Sequence, residues 1–304
     1  MNRNDWLHSK DEPRARRSAL SVPGSSSRML EKALRFPADE IVIDLEDAVV
    51  AEAKEEARDL VAGFLARDRH ETALMAVRVN PLAGPWGERD VEELVRRCGT
   101  RLDSLVVPKV ERARDILQVQ RVLEAAGERA VQVRLQALIE TAAGLVHAVE
   151  IATASPRLDT LILGYADLAA SLGRDLRALS PESWLYAQET LLVAARAAGL
   201  HAIDGPYLDI RDDVGLQMRA EHVRSLGFDG KWAVHPDQLT VINMVFTPTT
   251  EEVARAQTVL DALDAAHGRG AVALDGEMID EASRKLAARV VARGRAAGVE
   301  GVRR

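Results

Sequence analysis

The chain has 304 residues, a length that fits either two domains or one α/β barrel of about 250 residues with an extension. Hydrophobic residues make up 47% and charged residues 29%, so the composition excludes disordered, collagen-like and membrane proteins. The net charge of −7 gives no general attraction to nucleic acid or to an anionic membrane, and we expect neither as a partner. An anionic ligand must therefore be bound by local charge.

The cysteine content and the N-terminal residues bear on redox chemistry and location. The single cysteine, Cys98, excludes internal disulfides and thiolate zinc clusters, and its polar helical surroundings favour a structural role. No run of 18 apolar residues occurs, and the N-terminus lacks the apolar segment of a signal peptide, so we expect a cytoplasmic protein. Residues 1–17 are predicted to be a polar, irregular segment in which Arg14, Arg16 and Arg17 are solvated.

Eight short runs rich in β-branched residues alternate with longer helical patterns, which is the rhythm of βα units. The predicted strands are residues 18–22, 40–45, 74–79, 104–108, 133–139, 160–164, 201–204 and 231–235. Eight parallel strands with helical crossovers predict an α/β fold, a (β/α)8 TIM barrel over residues 18–246. The alternative, a doubly wound sheet, would carry a G-x-G-x-x-G turn after an early strand, and none is present.

The pattern changes after the eighth strand. Thr249 or Thr250, followed by two glutamates, predicts a capped helix. A short apolar stretch with a turn and a second long helix follow. We therefore expect residues 247–304 to form a C-terminal helical extension that acts as a lid over a site or a neighbouring subunit.

Polar residues gather at the predicted strand ends, which face one shared mouth in this fold. In chain order they are Pro23, Gly24, Ser25, Glu46, Asp47, Arg78, Asn80, Lys109, Glu140, Asp167, Asp204 and His235. Glu140 and Asp167 end neighbouring strands with no His or Cys nearby in the sequence. Two such carboxylates suit Mg²⁺, with Mn²⁺ able to substitute, although capping of the helices that follow is the alternative.

Arg78 ends an otherwise apolar strand, where a guanidinium needs a carboxylate partner. The partner is either a substrate carboxylate or enolate oxygen, or a salt bridge to Glu46 or Asp47. We expect the members of the acidic cluster, Asp44, Glu46 and Asp47, to orient Arg78 or a metal-bound water, or to cap the next helix.

Two further places carry candidate ligand contacts. The loop PGSSS precedes a helix with Arg28 and Lys32, which suits a phosphate, although simple turn chemistry explains it equally well. His235 in WAVHPDQ is a candidate acid, base or adenine contact, and a hydrogen-bonded structural residue is the alternative.

Nine motifs together resemble the citrate lyase β-subunit-like family of CoA-ester lyases, in the HpcH/HpaI aldolase superfamily. They are RSALSVPGS, DEIVIDLEDAV, VRVN, VVPKVE, ALIETAAGL, GYADLAASLG, AIDGPYLDIRD, LGFDGKWAVHPDQ and VFTPTTEEV, which run in order from about Arg17 to Leu263. The resemblance implies a Mg²⁺-dependent, reversible Claisen-type cleavage of a 3-hydroxyacyl-CoA such as malyl-, citramalyl- or citryl-CoA. The products would be an acyl-CoA and a 2-oxoacid.

The resemblance also assigns residues. Glu140 and Asp167 match the family's Mg²⁺ ligands, and Arg78 matches its substrate-binding arginine. Asp280 in DGEMID matches an aspartate on a lid that closes over a neighbouring subunit, which implies a homo-oligomer, a trimer or hexamer. Lys32 matches a CoA-phosphate contact.

The chain departs from the family pattern at two places. Ser26 stands where some members have arginine, and Arg28 can compensate for the missing charge. The proline that often follows the lid aspartate is also absent here.

Three alternative functions remain on the same scaffold. They are a CoA-independent 2-oxoacid aldolase, an acyl-CoA thioesterase, and a subunit that needs a carrier protein, as the β subunit of citrate lyase does. The C-terminal lid favours an independent enzyme.

Overall fold

A computed structural model describes residues 15–67, 73–175, 180–266 and 270–299. The described residues fall into two compact units, one spanning Arg16–Ile242 and the other containing the residues from Asn243 onward. No helix within these ranges is both long and apolar enough to cross a membrane. Most of the predicted N-terminal segment, residues 1–14, lies outside the described residues.

The first unit is a closed barrel of eight parallel strands, which confirms the predicted TIM-barrel fold. Each strand pairs with the next in the chain, and β1 pairs with β8 to close the ring. The strands are β1 Ser18–Pro23, β2 Glu40–Asp44, β3 Leu74–Arg78, β4 Ser104–Val107, β5 Arg134–Ile139, β6 Leu158–Leu163, β7 His201–Asp204 and β8 Gly230–Ala233.

Helices follow the strands, as expected for βα units. In this unit they are α1 Ser27–Ala33, α2 Lys54–Leu65, α3 Gly87–Cys98, α4 Ala113–Ala125, α5 Ala142–Val146, α6 Ala148–Ala152, α7 Tyr165–Ser171, α8 Leu185–Ala197 and α9 Asp213–Leu226. Helix α10, Gln238–Phe246, continues the chain after β8. Short 3-10 turns occupy Ala51–Ala53, Gly99–Arg101, Gly127–Ala130 and Pro181–Trp184.

One side chain from each strand contributes to a buried apolar cluster in the barrel. Its members are Ala19, Val42, Ala76, Val106, Leu138, Ile162, Ile203 and Trp232. Because side chains alternate along a strand, the residue two positions further along points the same way. Asp44, Arg78 and Glu140 stand two positions after members of this cluster, so strand periodicity directs all three into the C-terminal mouth.

The same alternation produces a buried polar layer on the N-terminal side of the cluster. Glu40 accepts hydrogen bonds from Gln136 Nε2 (2.6 Å) and Ser104 Oγ (3.3 Å). Arg16 Nη1 donates to Thr160 Oγ1 at 2.6 Å. Hydrogen bonding within the layer compensates for burying most of these groups, whereas Gln136 Oε1 has no partner among the described residues.

The prediction that Arg16 and Arg17 are solvated was wrong. Arg16 pairs with Asp159 (Nη2 to Oδ2, 2.8 Å) and Arg17 pairs with Asp39 (Nη2 to Oδ1, 2.7 Å). Both aspartates lie far from these arginines in the sequence, so local composition gave no sign of the pairing.

The second unit consists of helix α11 Thr250–Ala265, the hairpin β9 Ala271–Leu274 and β10 Glu277–Asp280, and helix α12 Glu281–Ala296. Its core contains Ala256, Val259, Leu263, Ile279 and Ala287. Thr249 caps α11 by accepting from Glu252 N at 3.1 Å, and Thr249 N donates to the Glu252 carboxylate at 2.8 Å. The predicted cap is therefore Thr249, in a capping box.

Closure of the barrel depends on the absence of a side chain at position 230. A Cβ there would lie 2.6 Å from the Arg17 carbonyl oxygen and closer still to that of Arg16. Gly230→Ala should therefore lower the free energy of unfolding by roughly 1–3 kcal/mol. The measurement is chemical denaturation monitored by circular dichroism.

Gly63→Ala is the matched control. Gly63 lies inside α2, and a Cβ at this position would extend into open space, so alanine should stabilise the protein by about 0.5–1 kcal/mol. Equal stability of the two alanine variants would contradict the role given to Gly230.

Candidate active site

Arg78, at the end of β3, is held by three carboxylates. Its Nε and Nη2 donate to the two oxygens of Asp44 at 2.8 and 2.6 Å, a bidentate pair. Its Nη1 lies 3.0 Å from Glu46 Oε2 and 3.3 Å from Asp47 Oδ2. Burial opposes the charge, but these partners raise the pKa of Arg78 above its ordinary value, so the guanidinium stays charged.

The salt bridges to Glu46 and Asp47 that the sequence offered as an alternative are thus present, and Asp44 is an additional partner. Asp44 also accepts hydrogen bonds from Glu46 N (2.8 Å) and Ala48 N (3.0 Å). From the other side, buried Lys54 Nζ donates to the carbonyls of Leu45 (2.8 Å) and Glu46 (2.7 Å). The acidic turn after β2 is therefore fixed on both sides.

Glu46 is buried and has one unsatisfied oxygen. Its Oε1 forms an ion pair with Lys109, whereas its Oε2 accepts no hydrogen bond from the part of the chain that the structure describes, although Arg78 Nη1 is close. Burial raises the pKa of Glu46 despite the neighbouring charges of Arg78 and Lys109. A buried acceptor of this kind can receive a hydrogen bond from a substrate hydroxyl or an ordered water.

Glu140 directly follows β5, and Asp167 lies in the first turn of α7, which follows the neighbouring strand β6. Glu140 is buried and its Oε1 accepts from Lys109 N at 2.8 Å. A Cβ at Gly164 would lie 2.5 Å from Glu140 Cβ and 2.7 Å from its Oε2, so the turn leading to Asp167 contacts Glu140 directly. Asp167 Oδ2 is 3.7 Å from Lys109 Nζ. Lys109 therefore links both carboxylates to Glu46.

Neither carboxylate caps the helix that follows it. Thr141 caps α5 by accepting from Gly144 N at 3.0 Å, and α7 has no side-chain cap. Their oxygens are therefore not engaged in the alternative role suggested by the sequence.

The charge balance of the mouth fits a divalent cation. Among the residues named, Asp44, Glu46, Asp47, Glu140 and Asp167 face the three cations Arg78, Lys109 and Lys54. Full ionisation would leave two uncompensated negative charges. Burial and the charge of Glu46 raise the pKa of Glu140 to about 8, so this carboxyl keeps its proton up to about that pH and the excess negative charge is reduced.

The donor set indicates which cation. Glu140 and Asp167 offer oxygen ligands only, which suits Mg²⁺ or Mn²⁺ rather than zinc. Within the described ranges no three His, Cys, Asp or Glu residues are arranged as a complete metal site. A cation held by two carboxylates must take its other ligands from water or substrate, which is how proteins commonly bind Mg²⁺.

Three other predicted residues, Arg28, Lys32 and His235, make no contact with this cluster in any described interaction. Arg28 and Lys32 are exposed on α1, with Lys32 Nζ 5.7 Å from the centroid of the Phe36 ring, and Ser26 caps that helix. His235 Nδ1 accepts from Asp237 N at 3.3 Å, the local hydrogen bond of the structural alternative.

Asp280 caps α12. Its Oδ1 accepts from Ala282 N (2.9 Å) and Ser283 N (3.1 Å), and these hydrogen bonds lower the pKa of its carboxyl group.

The expectation that Asp204 faces the mouth was wrong. Its neighbour Ile203 belongs to the barrel cluster, so Asp204 points to the outside of the barrel. There it pairs with buried Lys231 and accepts from the Tyr165 hydroxyl, which in turn accepts from Gln188 Nε2 at 2.7 Å. These residues line a cavity of about 780 Å³.

The sequence placed two further members of the site in the right region without giving them specific contacts. Asp44 belonged to the acidic cluster expected to orient Arg78, and Lys109 was one strand-end residue among many. The period of strand β2 relative to Val42 could have identified Asp44 as an inward-facing residue. Nothing local identifies the contacts of Lys109.

Comparisons with known proteins give a consistent picture. The HpcH/HpaI aldolase/citrate lyase family matches residues 17–236. An L-malyl-CoA/beta-methylmalyl-CoA lyase from Cereibacter sphaeroides is 37% identical over 300 residues, covering 91% of this chain and 94% of the relative. The citrate lyase subunit beta of Escherichia coli K12 is 37% identical over 273 residues, covering 88% and 89%.

Solved structures of related proteins are also similar to this chain. Protein CitE from Mycobacterium tuberculosis, in complex with magnesium, acetoacetate and coenzyme A, has a TM-score of 0.73 and 30% identity, covering 92% of this chain and 97% of that one. RipC from Yersinia pestis has a TM-score of 0.67 and 34% identity, covering 80% and 100%.

The raised pKa of Glu140 predicts how metal affinity changes with pH. Below its pKa of about 8 the carboxyl is protonated, so Mg²⁺ that binds through Glu140 would have to displace that proton. The Kd should therefore fall as pH rises, by up to about tenfold per unit, and become constant above about pH 8. Calorimetry in buffers of different ionisation enthalpy measures both the Kd and the proton release.

Glu140→Gln is the control, since an amide does not titrate; it should bind Mg²⁺ more weakly and without this slope. A wild-type Kd that does not change between about pH 6.5 and pH 8 would contradict the prediction.

Proposed function

The chain belongs to the HpcH/HpaI aldolase/citrate lyase family of lyases, and from this we propose that it cleaves a carbon–carbon bond in a 3-hydroxyacyl-CoA. The substrate would be of the malyl-, citramalyl- or citryl-CoA type, and the products an acyl-CoA and a 2-oxoacid. One observation carries the proposal: Arg78, Glu140 and Asp167 meet at one barrel mouth, linked through Glu46 and Lys109.

Glu140 and Asp167 are the residues that would hold Mg²⁺. When bound, Mg²⁺ supplies a Lewis acid that stabilises negative charge on the oxygens of the substrate's hydroxyacid end. A structural relative was crystallised with magnesium and coenzyme A, which supports the presence of a magnesium ion in a site of this fold. The unsatisfied Glu46 oxygen offers an acceptor beside the same site.

Arg78 would stabilise the charge that bond cleavage creates. As the bond between the acyl α-carbon and the hydroxyl-bearing carbon breaks, its electron pair moves into the thioester to form an enolate. The hydroxyl loses its proton to a base, and the enolate carbon later gains one. Because Asp44 holds the guanidinium in a fixed orientation, Arg78 is preorganised for an enolate or carboxylate oxygen, an effect typically worth about a hundredfold or more in rate.

Asp280 would act as the acid and base, delivered by residues 247–304 as a lid to a neighbouring subunit of a homo-oligomer. Its cap uses only Oδ1, and Oδ2 accepts no hydrogen bond among the described residues. The cap would thus orient the carboxylate while leaving one oxygen free for proton transfer.

The CoA moiety would be bound by individual side chains near the site, because the net charge of −7 gives the protein no general attraction for an anion. Exposed Lys32 and Arg28 on α1 would contact its phosphates. His235, whose ring is partly exposed, would contact the adenine.

Removing one metal ligand tests the function directly. Glu140→Gln and Asp167→Asn should each lower Mg²⁺-dependent turnover by about a hundredfold or more, because each removes one of two protein ligands. The assay offers malyl-, methylmalyl-, citramalyl- and citryl-CoA with Mg²⁺ and follows the released oxoacid. Glu150→Gln, an exposed position on α6, should retain activity.

Full activity of both variants would overturn the proposal. Release of free CoA without an oxoacid would indicate a thioesterase, and absence of CoA binding an aldolase. Activity only with an added carrier protein would indicate a citrate lyase β subunit.

The cap geometry separates the structural and chemical roles of Asp280. Asparagine caps helices about as well as aspartate but cannot exchange a proton, so Asp280→Asn should keep the thermal midpoint of wild type while kcat falls by roughly a hundredfold. Asp280→Ala should lower both, with a stability loss of about 1 kcal/mol. Unchanged turnover in Asp280→Asn would rule out an acid/base role.

A further inference from the structure

Lys109 contacts three carboxylates of the mouth through two different groups. Its backbone N–H donates to Glu140 Oε1 at 2.8 Å. Its ammonium forms an ion pair with Glu46 Oε1 and lies 3.7 Å from Asp167 Oδ2. Lys109 therefore contacts both proposed metal ligands and Glu46, one of the three acidic partners of Arg78.

The backbone at Lys109 adopts a conformation that its residue type disfavours. Its φ is 52°, in the left-handed region, where a long side chain costs free energy and glycine does not. Among the described residues the other non-glycine case is Asp275, in an Asp-Gly hairpin turn where such angles are ordinary. Glycine would suit the backbone at position 109, so the backbone conformation does not account for the presence of a lysine there.

The electrostatics supply that explanation. The ammonium neutralises Glu46, which would otherwise add a second charge beside Glu140. A divalent cation bound by Asp167 would stand close to the same ammonium, and the two positive charges would repel each other. The ammonium thus fixes the position of the Glu46 carboxylate and lowers the affinity of the Asp167 carboxylate for the metal ion.

We propose that Lys109 is a positioning residue that holds Glu46 beside Arg78 and sets the affinity of the Mg²⁺ site below the maximum that its carboxylates could reach. The inference rests on the proposed function in taking Glu140 and Asp167 as the metal ligands. It predicts that removal of the ammonium raises the affinity for Mg²⁺ and lowers the turnover rate. Damage to the fold would instead lower both the Mg²⁺ affinity and the turnover rate.

Lys109→Met tests the proposal, because it removes the charge and keeps most of the side-chain volume. The Mg²⁺ Kd should fall roughly three- to tenfold, as expected for loss of a nearby positive charge. The kcat on the best substrate of the panel should fall by about tenfold or more, with KM little changed, because Glu46 loses the partner that orients it. Calorimetry and steady-state kinetics on the full-length protein measure these quantities.

Two further variants separate charge from backbone. Lys109→Arg keeps the positive charge and should restore a Kd close to that of wild type. Lys109→Gly keeps the backbone N–H and suits the positive φ. It should therefore show the same lower Mg²⁺ Kd and lower kcat as Lys109→Met, but a higher thermal midpoint than Lys109→Met. Arg121→Met, which removes an exposed charge on α4, is the control and should leave the Kd unchanged.

A folded Lys109→Met variant that binds Mg²⁺ as wild type does, or more weakly, would overturn the inference. So would tighter binding with unchanged kcat, since Glu46 would then need no partner. Failure of the proposed function looks different: Glu140→Gln and Asp167→Asn would bind Mg²⁺ as tightly as wild type.

Discussion

Repulsion among five carboxylates that share one barrel mouth is the constraint on which the rest of the site depends. Each cation of the mouth is placed so as to relieve part of that repulsion. Arg78 binds Asp44 in a bidentate pair, Lys54 fixes the acidic turn through its carbonyls, and Lys109 connects the remaining carboxylates. Two negative charges remain uncompensated, and a divalent metal ion would balance them. Below about pH 8 a proton on Glu140 neutralises one of the two.

The barrel explains why such a cluster can exist. Burying several carboxylates together is unfavourable unless each has a partner, and a barrel supplies partners from different strands at fixed spacing. Asp44 and Arg78 are paired neighbours in the register of β2 and β3, so their contact follows directly from strand alignment. The polar layer around Glu40 and Arg16, on the other side of the apolar cluster, follows the same logic.

The sequence was sufficient for features that repeat along the chain and insufficient for contacts between distant residues. The eight strands, and Arg78, Glu140 and Asp167 at their ends, could be predicted because each is marked by its own local pattern. Asp204 was placed on the wrong side because one residue of shift in a strand reverses the direction of a side chain. The pairing of Arg16 with Asp159, and the three contacts of Lys109, join segments with no shared local signal.

Gly164 and Lys109 place the Glu140 carboxylate through main-chain contacts. A Cβ at Gly164 would lie 2.5 Å from Glu140 Cβ and 2.7 Å from Glu140 Oε2, so the turn after β6 packs directly on this side chain. Glu140 Oε1 accepts from Lys109 N at 2.8 Å, a second backbone contact, from the turn after β4. The position of the carboxylate is thus inherited from the barrel wall, and a substitution that shifts either turn would alter the site without changing any of its charged side chains.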